Sequence, residues 1–262
     1  MKPLYIRIIT IAGLISLACT TKVSEWVMLN ALPNQYTLVY FHKAPLTEET
    51  IRKNDDLNKN ISEANIQFKN VNRDDIDKPY YGLYYENRLF STYNDPEKLK
   101  NLVSSPLRDK IAGDLKGGNL CVLVYLRSGI KEKDEKGIGI VKKTVESSPF
   151  GKIIPVIELS RSDNGEEQFI SMLLNVETDL KGIREPMLFG VFGRFKALEP
   201  LLAGGITEEN INLMIDFLTA DCSCLIKDNL PGTDILYINK WELPATALVN
   251  AILDENPSLM HR

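Results

Sequence analysis

The stretch Asn119-Leu-Cys-Val-Leu-Val-Tyr-Leu126 decides the fold class of this chain. Every residue after Asn119 is apolar, and such a continuous run of valine, leucine and tyrosine is typical of a strand at the buried centre of a sheet. The run is much shorter than the roughly 20 apolar residues that a membrane-spanning helix needs. A charged loop, 131–136, and a helix, 137–147, are predicted to follow. Because strands alternating with helices build layered sheets, we predict an α/β fold.

The second half of the chain is predicted to continue with two strands and a closing helix. The strands are assigned to 168–176 and 187–192, and Pro186 directly precedes the second. Thr207 supplies an N-cap for the helix. Its apolar residues recur at i, i+3, i+4 and i+7 and therefore share one face: Ile211, Met214, Ile215 and Leu218.

A similar order of elements opens the chain. Strand 36–41, a polar helix over 48–62 and an alternating strand over 64–71 form a β-α-β unit. Such a unit implies a parallel strand pair with a right-handed crossover. A tyrosine-rich hairpin, 80–90, and a helix that begins at Pro96 are predicted next.

The order of elements in both halves resembles the thioredoxin-like fold, in which a proline precedes the third core strand and is commonly cis. The resemblance covers about 119–222 and, less closely, 36–107. Two stretches, Phe189-Gly-Val-Phe-Gly-Arg194 and Cys222-Ser-Cys224, are similar to uncharacterised bacterial envelope proteins. The resemblance implies two tandem thioredoxin-like domains with mixed central sheets flanked by helices, 36–116 and 117–230, followed by a C-terminal extension, 231–262.

The N-terminus has the composition of an export signal. Positive residues precede an uncharged apolar run, 8–18, that is too short to span a bilayer. The run ends in Ser16-Leu-Ala-Cys19, which resembles the lipobox of bacterial lipoproteins, with Ser16 where leucine is usual. The resemblance implies cleavage before Cys19 and a lipid on its thiol, which would hold the protein at an inner or outer membrane of the bacterial cell envelope. The segments are then a signal peptide, 1–18, and a tether, 19–35; secretion after nearby cleavage and an uncleaved anchor are the alternatives.

The cysteines do not follow the thioredoxin pattern. The two strand-to-helix junctions, 41–46 and 126–130, contain no Cys-x-x-Cys, so we do not expect thiol-redox catalysis of the thioredoxin kind. Cys121 is expected to be a buried strand residue. Cys222 and Cys224 leave three interpretations open: a disulfide, half of a soft-metal site, or a structural turn.

Three further residues are candidates for contact with an anion or a partner. His42 ends the first strand, where acid–base chemistry would need a nearby carboxylate; a surface histidine is the alternative. Arg194 could bind an anion or lie in solvent or a salt bridge. Tyr84 belongs to the aromatic segment 80–85, which is a partner-contact candidate because tyrosine is enriched at interfaces; hairpin packing is the alternative.

Composition and motifs exclude several functions. The chain has 44% hydrophobic and 25% charged residues, as in a globular protein, and its net charge of −4 gives no reason to expect nucleic acid. It carries no recognisable nucleotide, hydrolase or metalloprotease motif. We therefore expect a non-catalytic, lipid-anchored envelope protein without cofactor or metal, which serves as a binding or scaffold module for a protein partner. The alternatives are a thiol-redox or metal-binding envelope protein that uses Cys222 and Cys224, and an enzyme built around His42.

Overall fold

The computed structural model describes residues 21–223, 226–227 and 229–238. Within these residues two mixed sheets are flanked by helices, which confirms the predicted α/β class. None of the helices described is long and apolar enough to cross a membrane. The predicted signal peptide, the lipidation candidate Cys19, and Cys224 lie outside the described residues.

The first sheet has the strand order β2 (Ile66–Asn72), β1 (Tyr36–His42), β3 (Tyr80–Tyr85), β4 (Arg88–Tyr93). β1 pairs in parallel with β2 and antiparallel with β3, which in turn pairs antiparallel with β4. The Thr47 hydroxyl caps the first crossover helix by accepting the backbone N–H of Thr50 at 3.2 Å. The elements are β1 (Tyr36–His42), α2 (Glu48–Ile61), β2 (Ile66–Asn72), β3 (Tyr80–Tyr85), β4 (Arg88–Tyr93) and α3 (Pro106–Lys116), preceded by α1 (Val23–Asn30).

The second sheet has the order β10 (Thr233–Asp234), β8 (Lys196–Ala197), β7 (Met187–Phe192), β5 (Cys121–Arg127), β6 (Val156–Ser160), with β9 (Leu201–Leu202) paired to β7. β5 pairs in parallel with β6 and antiparallel with β7, so β6, β5 and β7 repeat the arrangement of β2, β1 and β3 in the first sheet. No peptide bond in the described part of the chain is cis, and this includes the bond before Pro186. The elements are β5 (Cys121–Arg127), α4 (Lys131–Ser147), β6 (Val156–Ser160), α5 (Glu167–Leu173), β7 (Met187–Phe192), β8 (Lys196–Ala197), β9 (Leu201–Leu202), α6 (Glu208–Thr219) and β10 (Thr233–Asp234).

Two of the predicted elements are wrong in type. The segment 168–176 is not a strand: residues 168–173 belong to α5, and the strand parallel to β5 is instead β6. A short continuous apolar run fits either period, and here burial selects the helix, because Phe169, Ile170 and Leu173 all reach the same core. The predicted helix at Pro96 is one 3-10 turn, Pro96–Leu99, and the longer helix is α3.

The predicted tether, 19–35, is partly helical. Helix α1 buries Val23 and Val27 against the second sheet, beside α6. Gly193 makes this close approach possible, because a Cβ at that position would lie 2.3 Å from Cγ1 of Val27. The segment after Cys19 is therefore, from Val23 onward, part of the folded body.

Two hydrophobic clusters hold the fold together. One lies on the side of the second sheet covered by α1, α4 and α6. The other joins the opposite side of that sheet to the first sheet, and it includes Leu38, Val124 and Phe169. The start of the predicted C-terminal extension belongs to this cluster, since Ile235, Leu236 and Tyr237 are buried in it. The two halves therefore share one core.

A buried polar network lies within the shared core. Arg108, which is fully buried, donates from Nη1 to the carbonyls of Leu102 and Leu236 at 2.8 Å each, and also donates to the Asn101 carbonyl. Its Nε donates to Ser105 Oγ at 3.0 Å, and this hydroxyl in turn donates to the buried Glu166. Burial lowers the pKa of Arg108 to about 10, while Glu166 opposes the shift. The guanidinium therefore stays charged at neutral pH and links segments from both halves.

Candidate functional site: an aromatic face of the first sheet

The junction between β5 and α4 is held by the carboxylate of Asp134. Asp134, almost fully buried, accepts the backbone N–H groups of Ser128 at 2.7 Å and Gly129 at 3.0 Å. These bonds fix the loop and explain why α4 begins at Lys131 rather than after the predicted charged loop. The junction is thus a capped loop in which the polar groups of Asp134 have structural partners.

An ion-pair network adjoins this junction. Arg127 pairs with Glu135 and Glu158, and Lys142 Nζ lies 2.7 Å from Glu158 Oε1. The neighbouring carboxylates raise the pKa of Arg127, and hydrogen bonding to Lys142 and then Arg127 lowers the pKa of Glu158. The charges at this edge of the second sheet therefore neutralise one another.

His42 and Arg194 are engaged by the backbone. Nδ1 of His42 lies 2.9 Å from the Ala44 carbonyl oxygen, and the imidazole is stacked near Tyr40 with a centroid distance of 5.9 Å. Arg194 donates from Nε to the Met28 carbonyl at 2.5 Å and from Nη2 to the Leu29 carbonyl at 3.4 Å, so it stabilises the C-terminal end of α1. Burial lowers the pKa of Arg194. The structure does not bring these two residues together.

The described cysteines are both buried. Cys121 is fully buried in β5, as predicted, and burial raises the pKa of its thiol to about 12. The Cys222 backbone N–H donates to the Thr21 carbonyl at 2.8 Å, and its side chain lies within the second cluster. No group of three or more His, Cys, Asp or Glu side chains with metal-site geometry occurs among the residues described. Cys224, the proposed companion of Cys222, lies outside the described residues.

Tyr84 lies on the face of the first sheet that points away from both hydrophobic clusters, which we call the aromatic face. The alternation of β1 turns Leu38 toward α2 and the shared core, and turns Val39 and Phe41 to the other side. Val39 and Phe41 are each 7% exposed, yet they belong to neither hydrophobic cluster. The strand register then completes the aromatic face: Thr37, Val39 and Phe41 of β1; Lys69 and Val71 of β2; Tyr80, Gly82 and Tyr84 of β3; and Leu89 of β4.

The rings of this face pack on one another. The Phe41 ring centroid lies 5.0 Å from that of Tyr80 and 6.3 Å from that of Tyr84. The guanidinium of Arg73 lies 5.5 Å from the Phe41 centroid, within the range of a cation–π interaction. Gly82 leaves room for the rings, because a Cβ there would lie 2.9 Å from Cε2 of Tyr84 and 3.1 Å from Cε2 of Phe41. The glycine therefore allows aromatic rings to lie across β3.

An open cleft of about 380 Å³ crosses the aromatic face. Val39, Phe41 and Val71 contribute apolar lining, and Leu89, which is 50% exposed, lies beside it. Lys69 also lines the cleft and forms no ion pair within the described part of the chain. All described lining residues come from strands and their adjoining loops: Gln35, Thr37, Val39, Phe41, Lys69, Val71, Tyr84, Glu86 and Asn87.

Sequence reasoning identified Tyr84 but missed Val39, Phe41 and Lys69. A signal for them was present, because strand 36–41 has apolar residues on both faces and only one crossover helix precedes β2. Aromatic residues and arginine are enriched at protein interfaces, so the chemistry of this surface fits contact with another macromolecule.

Comparisons with known proteins add no identification. No protein-family model matches the chain, and no curated protein is similar to it.

Proposed function

We propose that this protein is a non-catalytic binding module that engages a protein partner through the aromatic face. The supporting observation is that Val39 and Phe41, on the central strand of the first sheet, pack outside both hydrophobic clusters, next to an open cleft. An apolar surface rimmed by polar groups is typical of an interaction site. The exposed Leu89 gives the surface an apolar anchor, and Lys69, which has no ion pair within the part of the chain that the structure describes, belongs to its polar rim.

The proposal includes two tandem thioredoxin-like domains. In support, each half has a parallel pair joined through a helix and a third strand antiparallel to the first member of that pair. It also includes acylation of Cys19 and attachment to the cell envelope, for which the support is the Ser16-Leu-Ala-Cys19 sequence alone. Growth with radioactive palmitate tests the anchor. Wild type is expected to incorporate the label, whereas Cys19→Ala should not incorporate it and should be released from membranes. A variant that stays membrane-bound and a wild type that takes up no label would contradict it.

Site-specific photo-cross-linking in the native host tests the binding function. A photoreactive residue at position 89 is expected to give a defined adduct with a partner, because Leu89 is exposed beside the cleft. A probe at Leu213, which is 60% exposed in the second half, is the matched control and should not give that adduct. Val71→Asp should abolish the adduct by placing a charge in the apolar lining. Identical adducts from both probes, or an adduct that survives Val71→Asp, would count against a role for the aromatic face.

A further inference from the structure

The two sheets of the chain can be compared strand by strand. β1, β2 and β3 in the first sheet have the same pairing and directions as β5, β6 and β7 in the second. α2 connects β1 to β2, just as α4 connects β5 to β6. The aromatic face of the first sheet therefore has a counterpart on the second sheet.

The register identifies this counterpart. On β5, Leu123 and Tyr125 lie in the cluster with α4, while Val122 and Val124 face the opposite cluster. On β1, Leu38 lies in the shared core with the apolar residues of α2. Because α2 and α4 occupy corresponding places, the faces opposite to them also correspond. Thr37, Val39 and Phe41 of β1 thus match Val122, Val124 and Leu126 of β5.

Among the residues described, the connection that follows the parallel strand pair contributes a helix to this face in the second half and none in the first. α5 lies between β6 and β7, and its apolar residues share a cluster with Val122 and Val124. In the first half, the connection from β2 to β3 is residues 73–79, and it contains no helix. The first sheet therefore lacks, within its own connection, the element that its repeat uses to cover the same face. The apolar residues of α5 are Phe169, Ile170, Met172 and Leu173.

The position of the apolar residues favours a helix over an added strand. A peptide that extends the sheet would hydrogen-bond to the outer edge of β2, and Val39 and Phe41 lie one strand further in, on β1. A helix that lies across the face contacts several strands at once. Lys69, without an ion pair among the described residues, borders the cleft and favours a carboxylate on the flank of that helix, whereas Glu86, the acidic residue of the lining, already accepts a hydrogen bond from Asn34 Nδ2 at 2.8 Å.

We infer that the aromatic face receives an amphipathic helix from the protein partner, in the place that α5 takes on the second sheet. The docked helix presents apolar residues at i, i+3, i+4 and i+7 to Phe41, Tyr84 and Leu89, and an acidic flank to Lys69. This inference rests on the proposed function and adds the shape and charge of what binds.

A peptide of residues 163–176, held helical by a staple between positions 167 and 171, is a suitable probe. It carries the apolar face of α5 together with Asp163 and Glu166. Titrated into the 15N-labelled full chain, it is expected to shift the amides of Val39, Phe41 and Tyr84, with a Kd below about 1 mM. The matched control peptide carries Phe169→Ser and Leu173→Ser and is expected not to bind.

Charge reversal at the rim supplies a second readout. Lys69→Glu should weaken binding of the stapled peptide about threefold, the effect of losing one exposed ion pair. Shifts confined to the outer edge of β2 would indicate strand addition and overturn the inference. Equal binding of the control peptide, shifts only outside the aromatic face, or no binding at 1 mM would overturn it as well.

The cross-linking experiment separates the two proposals. Probes at Leu89 and Val71 are mapped to the partner residues that they label. Labelled positions three or four residues apart support a docked helix, and positions two residues apart indicate a strand. If a specific adduct forms at Leu89 but the labelled positions alternate by two, the binding function stands and the helix inference fails. If no specific adduct forms, the binding function fails.

Discussion

Replacing Arg108 with methionine would remove a buried guanidinium while keeping much of the apolar volume of the side chain. In the native protein Arg108 donates to the carbonyls of Asn101, Leu102 and Leu236 and to Ser105 Oγ. Methionine has no donor for any of them. The change therefore leaves several buried acceptors unsatisfied within the core shared by the two halves.

The cost can be worked from these contacts. Each buried acceptor that loses its partner costs about 1–3 kcal/mol, so the buried carbonyls of Leu102 and Leu236 together lose roughly 2–6 kcal/mol, while the Asn101 carbonyl is only partly buried. Relief from burying the guanidinium charge offsets part of this, and the net loss for breaking a buried charged network is about 3–5 kcal/mol. At about 2–4 °C per kcal/mol for a chain of this size, the midpoint of thermal unfolding should fall by roughly 10 °C.

Urea unfolding followed by tyrosine fluorescence and far-UV circular dichroism measures the loss. Lys110→Met, on an exposed position of the same helix, is the matched control and should change stability by at most about 0.5 kcal/mol. Adding Glu166→Gln to Arg108→Met should recover about 1 kcal/mol or more, because Glu166 is then no longer an uncompensated buried carboxylate. A loss below about 1 kcal/mol for Arg108→Met would refute the role assigned to the network.

Two further predictions concern packing and pH. Gly193→Ala should destabilise the protein by about 1–3 kcal/mol, because the new Cβ meets Val27 and the backbone φ is +56°. The control Gly139→Ala, which has open space around it in α4, should be neutral or stabilising. Equal losses of stability for the two variants in urea unfolding would contradict the packing of α1 against Gly193. Burial raises the pKa of Tyr81 and Tyr237 to about 12, so the folded protein holds these protons while the unfolded chain releases them near pH 10, and stability should fall from about pH 10 to 12. Ultraviolet titration at 295 nm checks this, and ionisation of every tyrosine near pH 10 before unfolding would disprove it.

The sequence predicts the class of fold because its strongest signals are local. The continuous apolar run of β5, the Thr207 cap and the alternation of strand 64–71 each determine their own element, and the structure confirms them. The apolar run 169–174 shows the limit of such signals. Its burial is evident from composition, but a helix and a strand can both bury it; the helix forms because β6 already pairs with β5 and because helical spacing brings Phe169, Ile170 and Leu173 to one core.

Long-range packing explains what the sequence could not predict of the candidate site. Tyr84 was identifiable from its aromatic neighbours, whereas the aromatic face depends on which side of β1 receives α2 and on the register of β2 and β3. Likewise, Arg194 has the same sequence signal whether it binds an anion or a helix end. Only the fold brings it to the carbonyls of Met28 and Leu29, 165 residues and more away along the chain.

The packing of α1 leaves only a short linker between the folded protein and the proposed lipid anchor. If the Cys19 thiol is acylated, only residues 20–22 separate it from the helix that begins at Val23. An extended chain covers at most about 3.6 Å per residue, so the first turn of α1 stays within about 15 Å of the acylated residue. The second half then lies close to the lipid headgroups, because no long flexible linker separates it from the membrane. The protein therefore meets partners within a thin layer at the membrane surface. Partners held in the same membrane are favoured there, because their effective concentration is high.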